Sequence, residues 1–313
     1  MATVVSTALA NAYLIGAPKS GTTSLARWLS AHPEVYFSVP KEPFYWADDY
    51  PRLRAHYGFS DQSSYAALFA GAAARRARVR AEGSTVYLYS RTAVPQICTA
   101  VPDARFIVAL RDPVELVVSW HRTQLVALNE SERDFAAAWR RSCAGGLPDT
   151  DPLDPKLLDY PRIGALGAAL ARVLELVPRD RLHVLTLDEL RRDPRAVWDA
   201  LTGFLGVPPS PVPDFATYNV SAKSARYPMV RRLTHRPPDL LERPVATLRQ
   251  WTRTTSLSGV KAIKKRMWQP DKRPQVRSET KAELAAHFAA DTRLLTSLMP
   301  LDISGWPSSA ALP

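Results

Sequence analysis

The chain has 313 residues, 46% of them hydrophobic and 23% charged, with a formal net charge of +11. This is the balance of a globular protein large enough for a substantial core, and it argues against a membrane-spanning helix, because no apolar run approaches the ~20 residues that a bilayer needs. The first ten residues carry no basic cluster ahead of an apolar segment, so no signal peptide and a cytoplasmic location are expected. The two cysteines, Cys98 and Cys143, lack zinc-like spacing and are expected to be reduced structural residues, with no metal implied.

Asn11 to Leu29 reads NAYLIGAPKSGTTSLARWL. The apolar run from Ala12 to Ile15 predicts a buried strand, Gly16 to Gly21 a glycine loop, and Leu25, Trp28 and Leu29 one face of a helix. Such a loop aims backbone N–H groups and a helix N-terminus at one point, a ready site for a phosphate. Gly16 and Gly21 have the GxxxxG spacing of a nucleotide P-loop. Thr22, however, occupies the position of the Walker lysine and Lys19 lies inside the loop, which disfavours an ordinary ATP or GTP site.

After Val35-Tyr36-Phe37 comes Pro40 to Trp46, PKEPFYW, where proline on each side of Lys41-Glu42 excludes a regular helix and predicts an extended loop with aromatic walls. Residues 63–71 read as a helix, 77–81 as a strand ending in Glu82-Gly83-Ser84, and 91–100 as a helix kinked at Pro95. Arg75, Arg76, Arg78 and Arg80 read as a solvated face. Residues 104–110, ARFIVAL, make the second buried strand, and its alternation with helices predicts an α/β fold on a parallel sheet.

That strand stops at Arg111-Asp112-Pro113. Asp112 can cap, Pro113 suits the first helical position and Glu115 the third, so a helix runs from here to about Leu128. Arg111 thus stands at the sheet edge that carries the glycine loop, the edge where open parallel sheets bind ligands. Helices are expected at 132–142 and 162–176, a strand at 181–186, a helix from the Asp193-Pro194 cap, and a loop from Gly145 to Pro161. Beyond the prolines of 208–213 lies a basic stretch with Lys261, Lys264, Lys265, Arg266, Lys272, Arg273 and Arg277, which reads equally as a loop folding over an anion or as plain surface. Glu279 to Leu298 is an amphipathic helix with Leu284, Phe288, Leu294, Leu295 and Leu298 on one face. One domain is expected over 1–313, with the core sheet over about 11–206 and the closing loop and C-terminal helix over 207–313.

PKSGTTSL at 18–25, KEP at 41–43 and RDPVELVVSW at 111–120, in this order, resemble the sulfotransferase family that uses 3′-phosphoadenosine 5′-phosphosulfate (PAPS), and most of all its bacterial and glycan-modifying branch. The resemblance implies a P-loop-like parallel sheet flanked by helices on both faces, with helical insertions and a C-terminal helix. It implies a PAPS donor, adenosine 3′,5′-bisphosphate as product and no divalent metal. By it, Lys19 donates to the bridging oxygen, Ser20, Gly21, Thr22, Thr23 and Ser24 hold the 5′-phosphate, and Arg111 with Ser119 eight residues on holds the 3′-phosphate. Lys272 and Arg273 stand roughly where the family places basic residues over the donor, with Lys223 and Arg226 as competitors.

On the acceptor side the resemblance makes Glu42 the base, with Glu82 as runner-up or substrate-orienting group, and Lys41, Phe44 and Tyr45 as further acceptor contacts. His56 and His121, nearest the motifs, are expected to be structural. The glycan enzymes usually carry a histidine where this chain has Phe44 and a lysine where it has Gly83. The acceptor is read as a hydroxyl of a carbohydrate, glycolipid or secondary metabolite. Two other readings compete: a P-loop kinase of a small molecule or nucleoside, from the GxxxxG spacing, and a nucleic-acid-binding protein, from the net charge. No recognisable nucleic-acid module supports the latter.

Overall fold

The computed structural model describes residues 9–209, 213–215, 223–225, 248, 268–270 and 276–310. Five strands, β1 (Ala12–Gly16), β2 (Val35–Phe37), β3 (Val79–Gly83), β4 (Arg105–Leu110) and β5 (Leu182–Thr186), form one parallel sheet in the order β2-β3-β1-β4-β5. The fold is α/β, as the apolar runs require: strands covered on both faces are apolar at nearly every position. Every residue of β1 is buried.

The chain divides into two compact units. The first holds residues 1–111, 166–219 and 291–305, and with them the whole parallel sheet. In it α1 (Thr22–Ala31) lays Leu25, Trp28 and Leu29 against Ala12, Leu14, Ile107 and Ala109, while on the opposite face Tyr13 stacks on Phe106 at 5.8 Å. Shorter helices follow at α2 (Pro51–Tyr57), α3 (Gln62–Ala67), α4 (Ala72–Arg76) and α5 (Ala93–Ala100). Pro95 sits in the first turn of α5, where no backbone donor is needed, so the predicted mid-helix kink is instead a helix start. The predicted helix at 63–71 ends at Ala67, and the strand predicted at 77–81 runs on through Glu82 and Gly83.

The second unit holds residues 112–165, 220–290 and 306–313. Its α6 (Pro113–Val126) begins as the sequence predicts: Asp112 Oδ1 accepts from Glu115 N at 3.0 Å, and Asp112 Oδ2 accepts from Ser308 Oγ at 3.0 Å. It continues with α7 (Phe135–Cys143), α8 (Tyr160–Gly164) and a two-stranded antiparallel pair, β6 (Lys223–Ala225) with β7 (Trp268–Pro270). Trp120 Nε1 donates to Leu157 O at 2.8 Å, and buried Glu130 accepts from Tyr160 Oη at 2.9 Å and from Arg141 Nη2 at 2.5 Å.

The single helix predicted at 162–176 is two, α8 and, in the first unit, α9 (Leu166–Leu174). The first unit also contains α10 (Leu187–Arg192), which the sequence reading missed although Thr186 and Glu189 close a full capping box, and α11 (Pro194–Leu205), capped by Asp193 as predicted. The terminal helix α12 (Ser278–Leu298) buries Leu284, Phe288 and Leu295, but Leu294 is exposed, contrary to its expected place on the apolar face. A short α13 (Pro307–Ala310) follows. Cys98 and Cys143 are free, Cys143 at an exposed position. Among the described residues no helix is long and apolar enough to cross a membrane.

Candidate functional site

The site in the first unit is built on the ends of β1, β3 and β4. The chain leaves β1 at Gly16, where an added Cβ would lie 2.7 Å from Leu88 Cβ, and enters α1 at Gly21, where φ is +84° and an added Cβ would lie 2.7 Å from Leu190 Cδ2. Gly16 is therefore required by close approach, and Gly21 by its backbone angle, since the leucine methyl it meets can shift. No side chain caps α1 at Gly21, so the start of this helix presents backbone donors without a built-in acceptor side chain. Ser20 and Ser24 are fully buried, Thr22 nearly so, and Thr23 is half-buried. Ser20 Oγ donates to Pro18 O at 3.4 Å.

Lys19 sits inside this loop at φ +64°, a left-handed angle that a non-glycine residue holds only when its surroundings fix it. One such brace is Arg111 at the end of β4, whose Nη1 donates to Lys19 O at 3.3 Å. Burial lowers the Lys19 pKa most, and the neighbouring positive charges of Arg111 and Lys41 lower it further, against an opposing pull from Glu42. The ammonium is thus held in a form that parts with its proton more readily than a surface lysine.

Lys41 and Glu42 pair at 2.7 Å, Nζ to Oε1. Lys41 Nζ also donates to Thr22 Oγ1 at 3.5 Å, which ties the KEP loop to the first residue of α1. Glu42 Oε2 accepts from Thr85 Oγ1 at 3.4 Å, and Glu42 N donates to Gly83 O at 2.8 Å. Thr85, which the sequence reading passed over, is thus a direct partner of Glu42; the hydroxyl-rich run after β3, EGSTVYLYS, was the available signal. The arrangement brings one carboxylate, two lysines and an arginine to the C-terminal edge of a parallel sheet beside a helix N-terminus, the place where such sheets bind anions.

Several expected site residues lie elsewhere. Glu82, expected as a runner-up base or substrate contact, is 0% exposed: Tyr65 Oη donates to its Oε2 at 2.6 Å and Ser84 Oγ to its Oε1 at 2.8 Å, so it can meet no acceptor directly. Burial raises its pKa to about 7 despite the hydroxyls of Tyr65, Tyr87 and Ser84, which pull it down. Phe44, expected as an acceptor wall, is 3% exposed with its ring edge-on to Tyr57 at 4.6 Å, and so belongs to the core. Tyr45 is half-buried, stacked on Tyr65 at 4.2 Å. Trp46, Tyr87 and Tyr89 are buried too.

Ser119 lies half-buried in the second turn of α6, in the second unit. Lys272, Arg273 and Arg226 fall outside the described residues, and Lys223 is described only as backbone of β6. His121 is buried, its Nε2 2.9 Å from Glu132 O, and His56 is half-buried beside Tyr57. Among the described residues no group of three or more His, Cys, Asp or Glu side chains could hold a metal ion.

Residues 10–226 match a family model described as "Sulfotransferase domain". Among curated proteins the chain is 27% identical over 197 residues to the human bifunctional heparan sulfate N-deacetylase/N-sulfotransferase 3, covering 63% of this chain and 22% of that one. It is 31% identical over 160 residues to human carbohydrate sulfotransferase 15, covering 39% and 28%. It is 26% identical over 199 residues to mouse heparan sulfate glucosamine 3-O-sulfotransferase 3B1, covering 64% and 46%. The chain therefore spans less than half the length of each of these relatives. The crystal structure of a sulfotransferase from Alicyclobacillus acidocaldarius superposes with a TM-score of 0.68 at 23% identity, covering 96% of this chain and 99% of that one, and shares its fold.

Proposed function

Since the chain belongs to the sulfotransferase domain family, we propose that it is a sulfotransferase that takes the sulfuryl group from PAPS and passes it to a hydroxyl of a carbohydrate, glycolipid or secondary metabolite. The observation that carries this reading is the meeting of Lys19, Arg111 and the Lys41–Glu42 pair around the glycine loop. The donor set is cationic, and the start of α1 presents backbone N–H groups with no side-chain cap; both features suit an anionic phosphosulfate. The names of the relatives support a glycan acceptor.

PAPS supplies an activated sulfuryl group on a phosphate leaving group. In this reading Lys19 gives its proton, or a strong hydrogen bond, to the oxygen that gains negative charge as the sulfur–oxygen bond breaks, and its lowered pKa favours that donation. The backbone from Ser20 onward and the hydroxyls of Thr22, Thr23 and Ser24 hold the 5′-phosphate. Arg111 holds the 3′-phosphate, for which a planar guanidinium fork is well shaped. Glu42 accepts the proton of the acceptor hydroxyl as its oxygen bonds to sulfur, so the products are the O-sulfate and adenosine 3′,5′-bisphosphate. Lys41 fixes Oε1 of that carboxylate and Thr85 meets Oε2.

The test is a mass-spectrometric screen of candidate acceptors for a sulfuryl adduct, using purified protein and PAPS, with Lys19→Ala and Glu42→Gln alongside. Transfer that survives both substitutions would remove this mechanism. Tight, Mg²⁺-dependent ATP binding that adenosine 3′,5′-bisphosphate does not compete with would replace the donor.

A further inference from the structure

The segment just beyond Glu42 hangs from one buried carboxylate. Phe44 N donates to Ser84 Oγ at 3.1 Å, Trp46 N to Tyr87 Oη at 3.1 Å, and Trp46 Nε1 to Tyr65 Oη at 3.0 Å. A hydroxyl that accepts from an N–H has its own proton left to give. Tyr65 gives it to Glu82 Oε2 at 2.6 Å, Ser84 gives it to Glu82 Oε1 at 2.8 Å, and Tyr87 hydrogen-bonds to the same carboxylate. Three N–H groups of residues 44–46 are therefore relayed through three hydroxyls to Glu82, which is 0% exposed.

The segment needs such an anchor. Glu42 and Phe44 stand at φ +66° and +59°, angles that a non-glycine residue holds only where neighbouring structure imposes them. The Glu42 end is held by the same strand, because Glu42 N donates to Gly83 O. We infer that Glu82 is a positioning residue: through Ser84, Tyr65 and Tyr87 it holds residues 44–46, and thereby fixes where the Glu42 carboxylate stands. The inference rests on the reading of Glu42 as base for its effect on turnover, but the anchoring itself does not.

A glutamine at 82 keeps the volume but turns an N–H₂ toward a hydroxyl proton, so at least one relay must break. Amide hydrogen exchange on wild type and Glu82→Gln should show residues 42–47 exchanging at least tenfold faster in the variant, with residues 22–31 unchanged. Ser84→Ala, which cuts one relay and leaves the carboxylate, should show the same change to a smaller degree, and it serves if Glu82→Gln does not fold. In parallel, slow hydrolysis of PAPS in the absence of an acceptor should fall at least tenfold in Glu82→Gln while calorimetric affinity for adenosine 3′,5′-bisphosphate stays within twofold. The double variant Glu42→Gln/Glu82→Gln should be no slower than Glu42→Gln alone, since one residue acts through the other. Unchanged protection over 42–47 in both variants, or multiplicative losses in the double variant, would overturn the inference. Should the wild type neither bind the bisphosphate nor hydrolyse PAPS, the donor reading fails while the exchange result still decides whether Glu82 holds the segment.

Discussion

Arg111 Nη1 donates to the backbone carbonyl of Lys19 at 3.3 Å, so the side chain that ends β4 braces the loop that ends β1. The same guanidinium also depresses the Lys19 pKa, second only to burial. Arg111→Ala removes a positive neighbour, which returns the Lys19 pKa toward the ordinary value. Lys19 should then be more fully protonated at neutral pH and acylate more slowly. Timed labelling with acetic anhydride, read by mass spectrometry at Lys19, checks this, and equal or faster labelling would contradict it. Arg111→Lys keeps charge but loses the planar fork, and should weaken adenosine 3′,5′-bisphosphate binding by about ten- to a hundredfold, the worth of one charged hydrogen bond.

Two glycines in the same unit should respond to alanine in opposite directions. At Gly16 the new Cβ would sit 2.7 Å from Leu88 Cβ, a backbone-anchored atom that cannot swing away. Gly16→Ala should cost about 1–3 kcal/mol, as overpacking does. At Gly203, in the exposed face of α11, nothing lies within 4 Å of the added carbon. Gly203→Ala should stabilise by about 0.5–1 kcal/mol through helix propensity and a less flexible unfolded chain. Urea unfolding of the two variants against wild type measures both.

What was legible in the sequence was what local chemistry decides. Ala12 to Ile15 and residues 106–110 are apolar throughout because both faces are covered, and Asp112-Pro113 with Glu115 is a local helix-start signal. The glycine loop and Arg111 could be placed at one sheet edge because each follows a strand of a parallel sheet, whereas the KE pair was placed by the family resemblance alone. The burial of Glu82 and Phe44 could not, since it depends on Tyr65 and Ser84, residues 17 apart and 2 apart from Glu82 in sequence, converging on one carboxylate. The break at Ala165 was equally hidden: Gly164 packs under Phe288, where an added Cβ would lie 2.2 Å from Cζ, and that partner is supplied by a helix more than a hundred residues on. The capping box at Thr186 and Glu189 was a local signal that went unread.

Glu82 gives the stability of the protein a specific pH dependence. Its folded pKa of about 7 lies above the ordinary carboxylate value of 4.5. Between those two values the folded protein holds a proton that the unfolded chain has released, so stability from this group is full below about pH 4.5 and is lost as pH rises to about 7. The loss is at most about 3 kcal/mol, from a shift of about 2.5 pH units at 1.36 kcal/mol each. Urea midpoints between pH 4.5 and 8 for wild type and Glu82→Gln, subtracted one from the other, isolate it: the wild type should fall relative to the variant across that window and run parallel above it. A difference that rises with pH would have the wrong sign.

Asp291 should be worth more to the fold than its place late in the chain suggests. Its Oδ2 accepts from Gly167 N at 2.7 Å and its Oδ1 from Ala168 N at 2.9 Å, so a side chain of α12 caps the first turn of α9, which has no acidic residue of its own there. Gly167 is where the backbones meet, because an added Cβ would lie 2.3 Å from Asp291 O, and Gly167 is buried there while Ala168 is exposed. Asp291→Ala strands the buried Gly167 N–H and leaves the Ala168 N–H to water, and should cost about 1.5–3 kcal/mol, as loss of hydrogen bonds to a charged group does. Asp291→Asn can still accept through its carbonyl oxygen but turns an N–H₂ toward the second donor, so it should fall between alanine and wild type. Urea unfolding orders the three, and an asparagine variant no better than alanine would mean that charge at the start of α9, not hydrogen bonding, is what Asp291 supplies.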